Sequence, residues 1–376
     1  MSNSSDVAVQ SLAVKYRPRS IAGLKEQPSV VSQLRGMFRT KKFPSAILLT
    51  GQTGCGKTTT ARIIARSINC ANLGENLKPC GQCQSCKLGD SSPDILEANI
   101  GDTRSIDDIR GFVQQSRSKP SLGRYRIFIL DEVHMLLAAG STCLLKALED
   151  SPPQTLWILA TSNPEKLLPT ILGRCTKLAL TPVDASVIED HLYGIAEREG
   201  FSLEKLADHE DVVRVITDLS NGQMRDALSY LESVLYLLSS NSNLSGRDVL
   251  AHIATTGEAQ LDALAADLLV AILSGSVIPI IRISRTCGAA RPIISKLRWI
   301  VQYFLDEAAK IAKFTPYGAK IAKKKLSESG GRLNVTQLIQ LQEVLSTIDE
   351  RLNTSFVDES IILQSALSSL ALMFKR

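Results

Sequence analysis

Two stretches of this chain carry side chains whose types and spacing prescribe chemistry. Gly51, Gln52, Thr53, Gly54, Cys55, Gly56, Lys57 and Thr58 fit G-x-x-x-x-G-K-[ST], and Thr59 follows. In that pattern the glycines let backbone N–H groups turn inward around the β- and γ-phosphates of a nucleotide. The helix that follows adds its positive end, Lys57 neutralises phosphate charge, and the Thr58 hydroxyl can ligate Mg²⁺. Further on, the apolar run Ile127 to Leu130 ends in Asp131 and Glu132. Asp131 can hold Mg²⁺ through water, and Glu132 can polarise a water for in-line attack on the γ-phosphate. Two acids after an apolar run are common; with Lys57 and Thr58 upstream they complete an ATP site.

Cysteine supplies the second chemistry. Cys80, Cys83 and Cys86 form two overlapping C-x-x-C pairs, and nine residues separate Cys70 from Cys80. Four thiolates in one loop match tetrahedral Zn²⁺, which takes sulfur ligands at about 2.3 Å. No further ligand is required, so the site reads as closed and structural. Metal binding there supplies on the order of 10 kcal/mol toward folding a segment with little apolar content. A redox pair or an iron–sulfur cluster explains the four spacings less simply. The other cysteines, Cys55, Cys143, Cys175 and Cys287, stand alone and fit small apolar packing in a reducing cytoplasm.

These side chains need strands and helices to hold them. Ala46 to Leu49 reads as a strand covered on both faces, and Ala61, Ile63, Ile64, Ala65 and Ile68 recur at helical spacing after the glycine loop. A third apolar strand, Leu156 to Ala160, ends in Thr161, Ser162 and Asn163, where polar residues meet ligand at the edge of a parallel sheet. Pro182 marks the exit from this α/β region, because Val187, Ile188, His191, Leu192 and Ile195 then form a helical stripe. Ser239 to Ser245 reads as a polar linker, and from Leu261 onward the pattern is helical throughout.

At 376 residues, with 44% hydrophobic and 22% charged residues, the chain suits two or three globular domains. The first ten residues lack the basic-then-apolar order of a signal peptide, and no stretch reads as a membrane span. The net charge of +5 is unevenly placed: Arg282 to Lys325 holds eleven Lys or Arg against Asp306 and Glu307. That stretch reads either as a solvated helix face or as a surface for phosphates or an acidic partner.

Val14-Lys15-Tyr16-Arg17-Pro18, the glycine loop, the cysteine insert, Leu130 to Leu136, Leu144 to Glu149 and Ile171-Leu172-Gly173-Arg174-Cys175 occur in one characteristic order. With Gly222 to Leu228 they resemble the gamma/tau family of bacterial DNA polymerase III subunits, which are AAA+ clamp loader ATPases. The resemblance covers roughly Val14 to Leu231. It implies a doubly wound α/β ATPase domain over 1–182 with a zinc module at about 70–90, a helical lid over 183–243, and an all-α collar over 244–376. It also implies roles. Arg225 takes the lid position that senses the γ-phosphate in cis, Ser162 the polar sensor position, and Arg174 the arginine finger that reaches a neighbouring subunit's ATP. Arg17 and Pro18 border the adenine, and the DNA-facing helix start falls on Thr103, Arg104 and Ser105. Partners implied are a sliding clamp, primer–template DNA, further loader subunits in a pentameric homo- or heteromeric ring and, indirectly, the replicative polymerase, in a bacterial or viral host.

Three positions depart from the family's pattern. Gly173 replaces a serine beside Arg174, Thr103 and Ser105 replace a basic pair, and the Cys70 to Cys80 gap is one residue longer. The chain stops where the collar should end, as in the short family product. His134 and His191 belong to the strand-end motif and to a helical stripe, with no chemical part. A helicase-loading or branch-migration motor is the rival reading, against which the cysteine insert argues. A non-hydrolysing scaffold subunit would lack Lys57, which is present.

Overall fold

Alternating apolar runs and helical stripes resolve into two compact units in the computed structural model. It describes residues 10–101, 106–206, 208–240, 244–254, 257–286, 290–310, 312, 315–328, 334–354, 364–365, 367–369 and 371–372. One unit runs to Val183 and takes in Gln223–Ser229; the other holds Asp184–Gly222 and the chain from Tyr230 onward.

The first unit contains, in chain order, α1 (Leu12–Lys15), α2 (Pro28–Thr40), β1 (Ala46–Thr50), α3 (Lys57–Ile68), α4 (Gln84–Leu88) and β2 (Ile95–Asn99). Then follow α5 (Ile106–Ser116), β3 (Arg126–Asp131), α6 (Ala138–Glu149), β4 (Thr155–Thr161), α7 (Pro169–Leu172) and β5 (Thr176–Ala179). The strands form one sheet in the order β2-β3-β4-β1-β5, and every pairing is parallel. Parallel strands need crossovers that cover both faces, so a strand in such a sheet is apolar on both sides. On β1, Ile47 and Leu49 enter one apolar layer with Ile63, Ile64 and Ile129, while Ala46 and Leu48 enter the opposite layer with Phe128, Trp157 and Leu144. Trp157 stacks on Phe128 at 4.7 Å between centroids, and its indole N–H donates to Ser151 Oγ at 2.9 Å, so the largest core side chain carries no orphan polar group.

This order places the chemistry. The glycine loop leaves the carboxyl end of β1 and the acids leave the same end of β3, with β4 between them. The residue after β4, Ser162, is therefore held between loop and acids. Ahead of β3, two polar residues fix the entry turn. The buried Asp94 carboxylate accepts the N–H groups of Ser121, Leu122 and Gly123 at 2.6, 2.7 and 2.6 Å. Asn69 Oδ1 accepts those of Arg124 and Tyr125 at 3.1 and 2.9 Å. A carboxylate with three such donors stays satisfied in the core.

The second unit has no strand among its described residues. Its helices are α8 (Ala185–Arg198), α9 (His209–Ser220), α10 (Met224–Ser240, whose first residues belong to the sheet unit), α11 (Gly246–Ala254), α12 (Gly257–Leu273), α13 (Val277–Thr286), α14 (Ala290–Ala308), α15 (Tyr317–Glu328) and α16 (Val335–Thr354). Helix α12 is apolar nearly all round because α13, α14 and α15 surround it. Leu268, Leu269 and Ile272 share one core with Ile293, Leu297 and Val301 of α14 and Leu341 and Leu345 of α16.

Much of the basic stretch is answered inside this unit. Lys296 lies 3.4 Å from the buried Asp262, Lys320 2.6 Å from Asp218 and Lys323 2.5 Å from Glu307. Lys325 pairs with Asp267. Among the described residues at least four of the eleven cations thus have acidic partners in this unit, which favours the helix-face reading. No described helix is long and apolar enough to cross a membrane.

Candidate nucleotide and metal sites

The loop after β1 turns as a phosphate cradle must. Gly51 has φ +148°, and a Cβ there would lie 2.6 Å from Leu180 O, so no larger residue fits. Gly56, at φ +97°, bends the chain into α3. Lys57 is buried, and its ammonium donates to Gly51 O and Gln52 O, both at 2.9 Å. Those bonds keep the cation over the loop that phosphate oxygens would enter. The Thr58 hydroxyl donates to Asp131 Oδ2, linking the loop to the end of β3. Hydroxyl and carboxylate in contact are the oxygen pair that suits Mg²⁺. Burial pushes the Cys55 thiol above its usual range, which makes it packing rather than a nucleophile.

Glu132 sits in the left-handed region, φ 49° and ψ 44°, at the step from β3 into a short 3₁₀ turn, Val133–Met135. Such a conformation costs a non-glycine residue of order 1–3 kcal/mol and persists only where the surroundings fix it. Here they do. Glu132 Oε2 accepts the Ser162 hydroxyl at 3.0 Å and the Ser162 N–H at 3.4 Å. The 3₁₀ turn also swings His134 back against the same oxygen, with Nδ1 at 3.3 Å. Sequence reading gave His134 no chemical part; the signal for it was the short turn after paired acids, which returns the third residue to the strand end. Desolvation holds His134 below its usual pKa despite Glu132 beside it, so it is neutral at pH 7.

Gln223, which belongs to the sheet unit and precedes α10, packs against the glycine loop. Oriented to satisfy both its ends, its amide donates to Thr53 O at 2.5 Å and to Asp226 Oδ2 at 3.1 Å. The next-but-one residue, Arg225, is exposed at the start of α10. Arg17, half-buried with Pro18 after α1, has its pKa lowered first by burial and then by the charges of Arg62 and Arg225. Arg62 is neutralised by a bidentate pair with Glu97, 2.7 Å on each arm. Arg17 and Arg225 therefore add positive potential to a loop already built for anions.

Arg174 leaves α7 on the surface, where its guanidinium meets Glu149 at 2.5 Å and donates to Thr170 O at 2.9 Å. Thr103, Arg104 and Ser105 lie outside the described residues.

The four cysteines converge. The Sγ atoms of Cys70, Cys80, Cys83 and Cys86 lie within 4.8 Å of one another, and Cys80 and Cys86 are 3.9 Å apart. A tetrahedron with arms of about 2.3 Å has edges of about 3.8 Å. Backbone N–H groups already aim at the sulfurs: Cys80 N donates to Cys70 Sγ at 3.2 Å and Cys83 N to Cys80 Sγ at 3.4 Å. Hydrogen bonds from the Cys83 and Gln82 backbone bring the Cys80 thiol down to about 6, whereas burial, then the Cys83 and Cys70 sulfurs, push Cys86 up to about 12. A divalent thiophilic cation resolves that opposition, and the donor set fits zinc.

The family described as DNA polymerase III, delta subunit, matches residues 26–184. The gamma subunit of Buchnera aphidicola is 35% identical over 237 residues, 62% of this chain and 64% of that protein. The gamma/tau subunit of Mycobacterium bovis is 36% identical over 59% of this chain, and the tau subunit of Bacillus subtilis 31% over 61%. The match spans only 38% and 40% of those two longer proteins. Among solved structures, the RuvB protein of Thermotoga maritima superposes with a TM-score of 0.53 over 85% of this chain and 99% of its own, at 17% identity, a likeness of fold. In motifs, sheet order and these likenesses the chain is similar, over about three fifths of its length, to gamma and tau subunits of DNA polymerase III, and its fold is of the AAA+ kind.

Proposed function

We propose that this chain is an ATP-hydrolysing subunit of a sliding-clamp loader. The observation that carries the reading is the meeting of Lys57, Thr58, Asp131, Glu132 and Ser162 at one edge of the sheet in a relative of gamma/tau subunits. ATP is the substrate. Its phosphates lie in the Gly51–Thr59 loop, where Lys57 exchanges the Gly51 and Gln52 carbonyls for phosphate oxygens. Thr58 and Asp131 would hold Mg²⁺, which neutralises charge on the β- and γ-phosphates. Glu132 orients the attacking water and takes its proton. Arg225 meets the γ-phosphate of the same subunit, Arg17 and Pro18 border the base, and Arg174 leaves Glu149 to reach the ATP of a neighbouring subunit.

The cysteine cluster would hold Zn²⁺ as a structural fastener, since four sulfurs leave no position for substrate. The lid over 183–243 and the collar over 244–376 come from the helical unit, save Val183 and Gln223–Ser229, which belong to the sheet unit, and through the collar subunits join a ring. ATP binding then lets the ring grip an open clamp and primer–template DNA, and hydrolysis releases the closed clamp to the polymerase. Thr103, Arg104 and Ser105 are the proposed DNA contacts. The full chain with its cognate loader subunits should hydrolyse ATP slowly alone and faster when clamp and primed DNA are added together. An unchanged rate with both present would assign the motor to another task.

A further inference from the structure

His134 makes more contacts than a core histidine needs. Nδ1 is 3.0 Å from Thr161 Oγ1 and 3.3 Å from Glu132 Oε2, while the Asn163 side-chain nitrogen lies 3.4 Å from Nε2. An amide nitrogen can only donate, so Nε2 accepts and the ring proton sits on Nδ1. The opposite tautomer would set two N–H groups face to face at Nε2 and two lone pairs face to face at Glu132. Thr161 Oγ1 also receives the Asn163 N–H at 3.1 Å, which fills its second acceptor site. Nδ1–H is therefore donated to Thr161 Oγ1 and lies beside Glu132 Oε2 at 3.3 Å, and Asn163 sets which nitrogen bears it.

Glu132 Oε2 thus accepts from Ser162 and has the His134 Nδ1–H dipole beside it at 3.3 Å, whereas Oε1 accepts none among the described residues. We propose that His134 is a positioning residue for hydrolysis: the Nδ1–H dipole, fixed by Thr161, attracts Oε2 at 3.3 Å and leaves Oε1 as the atom that faces water. This rests on the ATPase reading above. In the step it serves, a lone pair of the water oxygen forms the new bond to Pγ, the bond from Pγ to the bridging oxygen breaks toward ADP, and the water proton passes to Oε1. A base held by one oxygen keeps the other aimed; a base free to rotate loses rate without losing substrate affinity.

Substitutions separate a donor at Nδ1 from mere filling of space. The Asn amide nitrogen can occupy the place of Nδ1, and that of Gln the place of Nε2. In the full chain with ATP and Mg²⁺, His134→Leu and His134→Gln should lower kcat about tenfold with KM for ATP within about twofold. His134→Asn should stay within about threefold of the parent. Melting temperatures accompany each rate, and where the Leu protein does not fold, the Asn and Gln pair decides. A parental rate in His134→Leu, equal rates in the Asn and Gln proteins, a rise in KM alone, or a rate loss that only follows melting overturns the proposal. Glu132→Gln is the control that keeps the two readings apart. If it hydrolyses ATP normally, Glu132 is not the base and both fall; if it is inactive and His134→Leu is not slowed, only the histidine's part falls.

Discussion

The proposed nucleotide site draws on Arg17, the Gly51–Thr59 loop, Asp131, Glu132, Ser162 and Arg225 from stretches far apart in the chain, while the four cysteines come from one short loop, Cys70 to Cys86. Sheet order brings the first set together: β4 between β1 and β3 decides that Ser162 meets Glu132. Spacing along a turn brings the second set together, with N–H groups of the same turn aimed at the sulfurs. A site assembled by the core can lose a catalytic side chain and keep its shape. A site assembled by a loop depends on its ligand for shape.

The largest expected effect extends the first kind of site across subunits. Arg174→Ala in an assembled ring with clamp and primed DNA should lower hydrolysis by on the order of 10³ to 10⁵, with ATP binding near normal. The guanidinium is held on the surface by Glu149 and Thr170 O, so its removal takes no contact from the cradle of its own subunit. Equal loss of ATP binding would contradict a role in a neighbour's site.

The next test breaks the other side of the comparison. Protein purified without chelator should carry about one Zn²⁺ per chain. Far less than that ends the zinc reading. Chelation should expose the segment around 70–90 to protease while ATP affinity changes by less than about twofold, because the cradle is built on the sheet. Acid should release the metal for the same reason as chelator: the ligands are thiolates, and protons compete with the metal for them. ATP binding lost together with zinc would mean that the two sites are not separate.

The same contrast explains what could be read from residues alone. The glycine loop, the paired acids and the cysteines are local patterns, and each stands where its spacing puts it. The strand-end pattern puts Thr161, Ser162 and Asn163 alike at the ligand edge, and only resemblance singles out Ser162, since a serine after a strand is ordinary until the strand order is known. His134 was set aside because its contacts with Glu132, Thr161 and Asn163 depend on a turn that returns it to the strand end. Asp94 and Asn69 gave no local signal, for their partners at 121–125 lie far along the chain. The basic stretch from Arg282 to Lys325 left both a helix face and a partner surface open because three of its acids, Asp218, Asp262 and Asp267, lie upstream of it.

Glu132 is the point on which the account turns, and its Gln variant tests it most directly. Measured on one preparation, Glu132→Gln should keep its zinc, its melting temperature and its ATP affinity, and lose hydrolysis by on the order of 10² to 10⁴. Hydrolysis at the parental rate, or loss of nucleotide binding in step with loss of hydrolysis, would contradict the assignment of Glu132 as the base.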